Sequence, residues 1–247
     1  MKIKIKSRPP LLASFETHSN LDNAIWDGDI MRPEISNRLQ GIAEEFIERL
    51  DLQFMEIIDI ILTGSLANYN WSKYSDLDVH ILVDFKAIDE NEALVKKYFD
   101  AVRSNWNRTH DIKVKGYEVE LYVQDADEKH ESTGIYSILN DEWVLEPEPF
   151  AHVINKAAIY KKVKHLVRDI DKTLSYLDHQ RYGEAIELGN KTKSKIKKMR
   201  QAGLDRSGIA SPENFAFKVL RRSGYMKKLF DNVREAYDKA KSLVEQE

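Results

Sequence analysis

The sequence predicts an α+β fold: a mixed β-sheet with flanking helices, followed by an α-helical C-terminal domain. Three observations predict it. Short apolar runs of strand character alternate with helix-period segments through the first 125 residues or so. Pro147-Glu148-Pro149 then interrupts the pattern, and two prolines in three residues disfavour any helix or strand crossing there. Beyond them apolar residues recur every three or four positions almost to the end, the spacing of amphipathic helices. The expected division is therefore a sheet domain over 1–148 and a helical, basic domain over 149–247. A chain of 247 residues with 42% apolar content can fill the cores of both.

In chain order, a helix is expected over 37–50, with Leu39, Ile42, Ala43, Phe46, Ile47 and Leu50 on one face and Ser36 as its N-cap. The Ile-rich run 55–62 reads as a buried strand. A second strand over 77–85 puts Leu77, Val79, Ile81, Val83 and Phe85 on its core face. A helix over 89–106 follows, through Leu94, Val95, Tyr98, Phe99 and Val102. The third strand, 112–124, has Val119, Leu121 and Val123 on one face and Glu118, Glu120 and Tyr122 on the other, with Gly116 marking a bulge. In the C-terminal half, helices are expected over 152–177, over 182–202 with Gly203 as the stop, over 212–222 with Ser211 as N-cap, Pro212 first and Gly224 ending it, and over 230–244.

Composition narrows the chemistry. The absence of cysteine excludes disulfides, thiolate metal sites and thiol catalysis, and it fits a reducing cytoplasm, the expected location. No run approaches a membrane span, and the basic start MKIKIKSRPP lacks an apolar core, so neither a secretory signal nor a membrane partner is expected. Its alternating Lys and Ile suit a short edge strand or an arm. The net charge of −3 says little about nucleic acid, but its distribution is uneven. Cations run from Lys191 to Lys228, through KTKSKIKKMR, broken only by Asp205 and Glu213. Such a run is either a solvated helix face or a footprint for a polyanion.

The most informative stretch is LTGSLANYNWSKYSDLDVHILVDF, residues 62–85. Asp76 and Asp78 fall on one face of their strand and Leu77 and Val79 on the other. Two adjacent carboxylates repel each other unless a cation sits between them, and Mg²⁺ takes a few carboxylates together with substrate phosphates. The Gly64-Ser65 turn, entering a helix expected near Leu66, offers backbone N–H groups to an anion. Lys73 and Ser72 are further candidate phosphate ligands. Tyr69, Trp71 and Tyr74 would either stack on a base or order the loop. His80 shares a face with Asp78 and is read as structural, while His110 and His130 lack zinc-ligand spacing. Phosphate cradle plus metal carboxylates reads as a nucleotide-handling site.

The pairing of G-S with S-D-L-D-V-H-I, carried by Gly64, Ser65, Asp76 and Asp78, resembles the DNA polymerase β-like nucleotidyltransferase superfamily over about the first 150 residues. The resemblance implies a third acidic residue on the strand beside the D-x-D strand. Glu120, followed by Leu121-Tyr122-Val123, matches that placement better than Glu118, which lies nearer Gly116; glutamate there departs from the more usual aspartate. It further implies an enzyme with two Mg²⁺ ions (Mn²⁺ as a substitute) held by Asp76, Asp78 and Glu120. Gly64, Ser65 and Lys73 would bind the NTP. An NMP would pass to a hydroxyl of RNA or tRNA, a protein or a small molecule, with pyrophosphate released. The basic region 191–228 would serve an RNA acceptor, since in this superfamily a C-terminal helical domain often walls the cleft. Two alternatives accompany it: a (p)ppGpp-synthetase-like pyrophosphokinase, whose phosphate-binding arrangement differs, and a non-catalytic nucleotide or RNA sensor. Base preference, acceptor and oligomeric state are left open by the sequence.

Overall fold

The computed structural model describes residues 14–50, 52, 55–130, 132–149 and 154–242. Among these the chain forms two compact units, one within Glu16–Ala151 and one within His152–Glu247 joined by Ser14 and Phe15. The Lys-Ile alternation at residues 2–6 lies outside the described residues.

The first unit is built on a six-stranded sheet. Its strands are β3 (Asp59–Thr63), β4 (Asp76–Val83), β5 (Lys113–Val114), β6 (Tyr117–Asp125), β7 (Ile135–Ser137) and β8 (Glu142–Leu145), in spatial order β5-β6-β4-β3-β7-β8. Every neighbouring pair is antiparallel except β4 and β6, which run parallel and enclose a helical crossover between them. β4 explains its own placement: Leu77, Val79, Ile81 and Val83 are fully buried in the core, while the alternate residues keep partial exposure. Polar side chains are tolerated on that second face only. A small hairpin, β1 (Trp26–Asp27) and β2 (Ile30–Met31), precedes the sheet. Trp26 stacks on Trp143 of β8 with centroids 4.8 Å apart, and Tyr136 meets it edge-on at 4.9 Å.

Several element boundaries differ from the sequence reading. Helix α1 spans Pro33–Glu48, starting at proline rather than at residue 37, because proline's fixed φ suits the first helical position. Ser36 is thus inside the first turn, where its hydroxyl donates to the Ile138 carbonyl at 3.3 Å instead of capping. Phe85 leaves the strand for the one-turn helix α2 (Phe85–Ile88), capped by the Asp84 carboxylate. Helix α3 (Glu92–Thr109) follows, capped by Asn91. The expected bulge at Gly116 is a hairpin turn: Lys115 and Gly116 both have positive φ, 52° and 87°, the backbone of a two-residue turn that folds β5 onto β6. Strands β1, β2, β7 and β8 were not expected, since two to four residues are too few for a period to register.

The second unit packs α4 (Lys156–Asp178), α5 (Tyr182–Ser207), α6 (Pro212–Arg222) and α7 (Tyr225–Lys241) around a core that includes Ile159, Leu166, Ile170, Ile196, Phe215, Leu220 and Leu229. Phe15 joins this core, its ring 4.8 Å from Phe215 and beneath the Arg222 guanidinium at 4.6 Å. Gly203 does not stop its helix. A Cβ there would lie 2.5 Å from the Glu213 Cβ and 2.8 Å from the Ser211 Oγ, so the glycine lets the start of α6 press against α5. Ser211 accepts the Asn214 N–H at 3.2 Å with Pro212 behind it, and Gly224 (φ 78°) ends the region, as the sequence predicts. α7 begins at Tyr225, five residues before its expected start.

Much of the positive charge in 191–228 is matched within this unit. Lys195 pairs with Asp169 at 2.9 Å, Lys228 with Asp171 at 2.6 Å and Lys227 with Asp231 at 2.5 Å. Glu213 is buried between Lys162 at 2.8 Å and Arg206 at 2.7 Å. Burial pushes its carboxyl up, but the hydrogen bonds from Lys162, Arg206 and its own amide outweigh that and hold it at about 2. A depressed folded-state value contributes stability above the ordinary 4.5, which is lost as pH falls toward 2. Glu213→Gln is therefore expected to cost about 1.5–3 kcal/mol at neutral pH. In urea titrations, the gap to wild type should close as pH drops from 4.5 toward 2.

Candidate functional site

The candidate carboxylates stand on the face of the sheet away from its apolar core. Along β4 that face carries Asp76, Asp78 and His80. In the parallel register each faces a residue of β6: Asp76 opposite Glu118, Asp78 opposite Glu120, His80 opposite Tyr122. Across the other edge of β4, Asp78 pairs with Thr63, the last residue of β3. Paired positions point to the same face, so four carboxylates occupy adjoining places on neighbouring strands about 4.8 Å apart. Glu118 registers the crowding: although exposed, it loses part of its hydration, and this, then the charges of Glu120 and Asp76, pushes its carboxyl above the usual range. Among the described residues the side chains do not close into a group of three metal-holding donors. They share a face without a common focus.

The glycine-serine turn lies beside these carboxylates. Gly64 adopts φ 77°, ψ −158°, a region essentially reserved for glycine, and a Cβ at that position would overlap the Asp78 Oδ2 and lie 3.0 Å from its Cγ. The Asp78 carboxylate thus rests against the Gly64 backbone. Three bonds hold the turn: Asn68 donates to the Gly64 carbonyl at 2.7 Å, Thr133 donates to Asn68 at 2.7 Å, and the Trp26 indole donates to the Leu66 carbonyl at 2.8 Å. The helix expected near Leu66 is only a 3₁₀ turn, Ser65–Ala67, so local N–H groups rather than a helix dipole are what the turn offers an anion.

The remaining candidates fall as follows. The Ser65 hydroxyl donates to Ser75 at 2.7 Å, and Ser75 accepts the Ser72 N–H at 2.9 Å, tying the two motifs into one loop. Lys73 is exposed, its ammonium 5.2 Å from the centre of the Tyr74 ring. Trp71 is a packing residue: it stacks on His18 at 3.8 Å and donates to the Asn20 carbonyl at 2.9 Å. His80 binds Gln124 at 2.8 Å, and burial, with the neighbouring His130 and Arg103, lowers its pKa to about 4, so it is neutral at physiological pH. A groove of about 490 Å³ in the helical unit, lined by Lys193, Phe230 and Tyr237 among others, contains none of the sequence-predicted site residues.

Tyr122 was passed over in the sequence. Its hydroxyl donates to the Glu120 Oε2 at 2.6 Å, and burial, then the charges of Asp78 and Glu120, push its pKa far above the ordinary value. The same-face alternation Glu120-Leu121-Tyr122 was the available signal. In donor type, Asp76, Asp78 and Glu120 suit a hard divalent cation, being all oxygen and all carboxylate on one face, although their side chains do not converge on one point.

An acidic pair in register with a glutamate and beside a Gly-Ser turn is the arrangement that the resemblance to the nucleotidyltransferases leads one to expect. The chain belongs to that family: the model of the nucleotidyltransferase domain matches residues 40–171, more than half its length. No curated protein and no solved structure matches it. Among the described residues no helix is long and apolar enough to cross a membrane.

Proposed function

We propose that this chain is a Mg²⁺-dependent nucleotidyltransferase of the cytoplasm that moves an NMP from an NTP to an acceptor hydroxyl. The observation that carries the reading is the contact of Asp78 with Gly64 while Asp78 stands in register with Glu120. One carboxylate thereby joins the phosphate-binding turn to the acidic pair of strands. Asp76, Asp78 and Glu120 would hold Mg²⁺, with Mn²⁺ as a substitute; when bound, the metal supplies charge neutralisation at the triphosphate and lowers the pKa of the acceptor hydroxyl.

The chain's own groups do the rest. N–H groups of Gly64 and Ser65 receive phosphate oxygens, and Lys73 swings from Tyr74 to the same anion. Glu120 takes the proton of the acceptor hydroxyl as its oxygen attacks the α-phosphorus. The bond from that phosphorus to the bridging oxygen breaks, and pyrophosphate departs. Residues 1–148 carry this chemistry, and 149–247 serve the acceptor. For an RNA or tRNA hydroxyl, the exposed Lys191, Lys197 and Lys198 would contact phosphates; hydroxyls of proteins or small molecules are the other classes.

Label transfer tests it. With Mg²⁺, a cell extract and each NTP labelled at the α- or the γ-phosphate, the α-label is expected on a product and the γ-label in pyrophosphate. Nuclease and protease digestion then assigns the acceptor. A γ-label retained on a nucleotide would replace the reading with pyrophosphate transfer, and silence in both arms would leave a nucleotide sensor.

A further inference from the structure

Two glutamates of β6 compete for the role of third carboxylate, and the structure treats them differently. Glu118 is exposed and opposes Lys113 of β5 as well as Asp76 of β4. Glu120 is partly buried, opposes Asp78, and accepts the Tyr122 hydroxyl at 2.6 Å. We propose that Tyr122 is a positioning residue that fixes Glu120 as the third carboxylate of the site and leaves Glu118 outside it. The proposal rests on the nucleotidyltransferase reading above.

Rigidity is what the tyrosine supplies. A glutamate has three side-chain torsions, and an unrestrained one samples many positions of its carboxylate. Tyr122 has only two, and its ring is held by neighbours. The His80 imidazole lies parallel to it at 14° with centroids 4.7 Å apart, and His80 is itself fixed by Gln124 at 2.8 Å. From α3, the Arg103 guanidinium lies 4.7 Å from the ring centre. That guanidinium is steered by Asp100 at 3.3 Å, while its buried Nε finds no hydrogen-bond partner. An orphaned buried donor costs free energy, which is tolerated when the group is held for another contact, here the tyrosine ring. A hydroxyl on so restrained a ring is a fixed point to which the long glutamate arm is tied. A tyrosine needed only for packing would not need its oxygen.

The test measures Mn²⁺ binding to the full chain with α,β-methylene-ATP, reading free Mn²⁺ by electron paramagnetic resonance. Tyr122→Phe keeps the ring and removes the hydroxyl. It is expected to weaken Mn²⁺ binding about 10-fold or more, the usual loss for a partner of a metal ligand. The midpoint of thermal unfolding should fall only slightly, by the loss of one hydrogen bond. Adding Tyr122→Phe to Glu120→Gln should produce no further loss, and Glu118→Gln should bind as wild type does. Wild-type affinity in Tyr122→Phe, or its full additional loss on top of Glu120→Gln, would overturn the positioning role while leaving the nucleotidyltransferase reading standing. A Glu118→Gln loss equal to that of Glu120→Gln would do the same. If wild type binds no Mn²⁺ with the nucleotide, the site reading falls and the proposal with it.

Discussion

Asp78→Asn is expected to reduce nucleotidyl transfer about a thousandfold while the chain stays folded. The residue sits where three lines meet: paired with Thr63 on one side, paired with Glu120 on the other, and resting against Gly64. Asparagine keeps its volume and one carbonyl oxygen, so what is removed is mainly the charge. A carboxylate that holds a catalytic divalent ion supports several kcal/mol of transition-state stabilisation, and about 1.4 kcal/mol corresponds to tenfold in rate. Folding should respond little, since the substitution keeps the volume of Asp78 and its strand pairing on both sides. Radiolabel transfer and circular dichroism on the same preparation check the two halves. Activity within tenfold of wild type would remove Asp78 from the site.

That a stretch of eight residues carries so much explains what the sequence disclosed. In β4 the alternation is complete, with Leu77, Val79, Ile81 and Val83 inward and Asp76, Asp78 and His80 on the other face, so strand, face and candidate site are legible together. Elements whose logic is tertiary are not. Gly203 looks like a stop signal because its local propensity is poor; its reason for being glycine is Glu213, ten residues later and across a helix contact. Strands β7 and β8 are too short for a period, and depend on Trp26, Tyr136 and Trp143, which meet only in the fold. Lys115-Gly116 contained the two-residue turn, but lysine at positive φ is rare enough that a bulge was the simpler inference. The Tyr122–Glu120 bond lies between these cases: the shared face is in the sequence, the hydroxyl's partner is not.

Gly64→Ala is the substitution expected to damage both stability and activity, and Gly116→Ala separates the two effects. Both glycines have positive φ, 77° and 87°, so alanine strains either backbone and is expected to destabilise by about 1–3 kcal/mol. Their surroundings differ. Around Gly116 a Cβ meets nothing within 4 Å, whereas at Gly64 it overlaps the Asp78 carboxylate. Asp78 cannot retreat freely, since its strand is paired on both sides. The carboxylate must rotate away, or the turn must lift its N–H groups from the position they share with it. Either displacement is on the order of an ångström, which costs about a hundredfold where groups must meet in register. Urea denaturation should thus rank both variants below wild type, while transfer assays under folding conditions should find Gly116→Ala near wild type and Gly64→Ala about a hundredfold slower. Equal activity in the two variants would mean that the turn and the acidic strand do not work as one site.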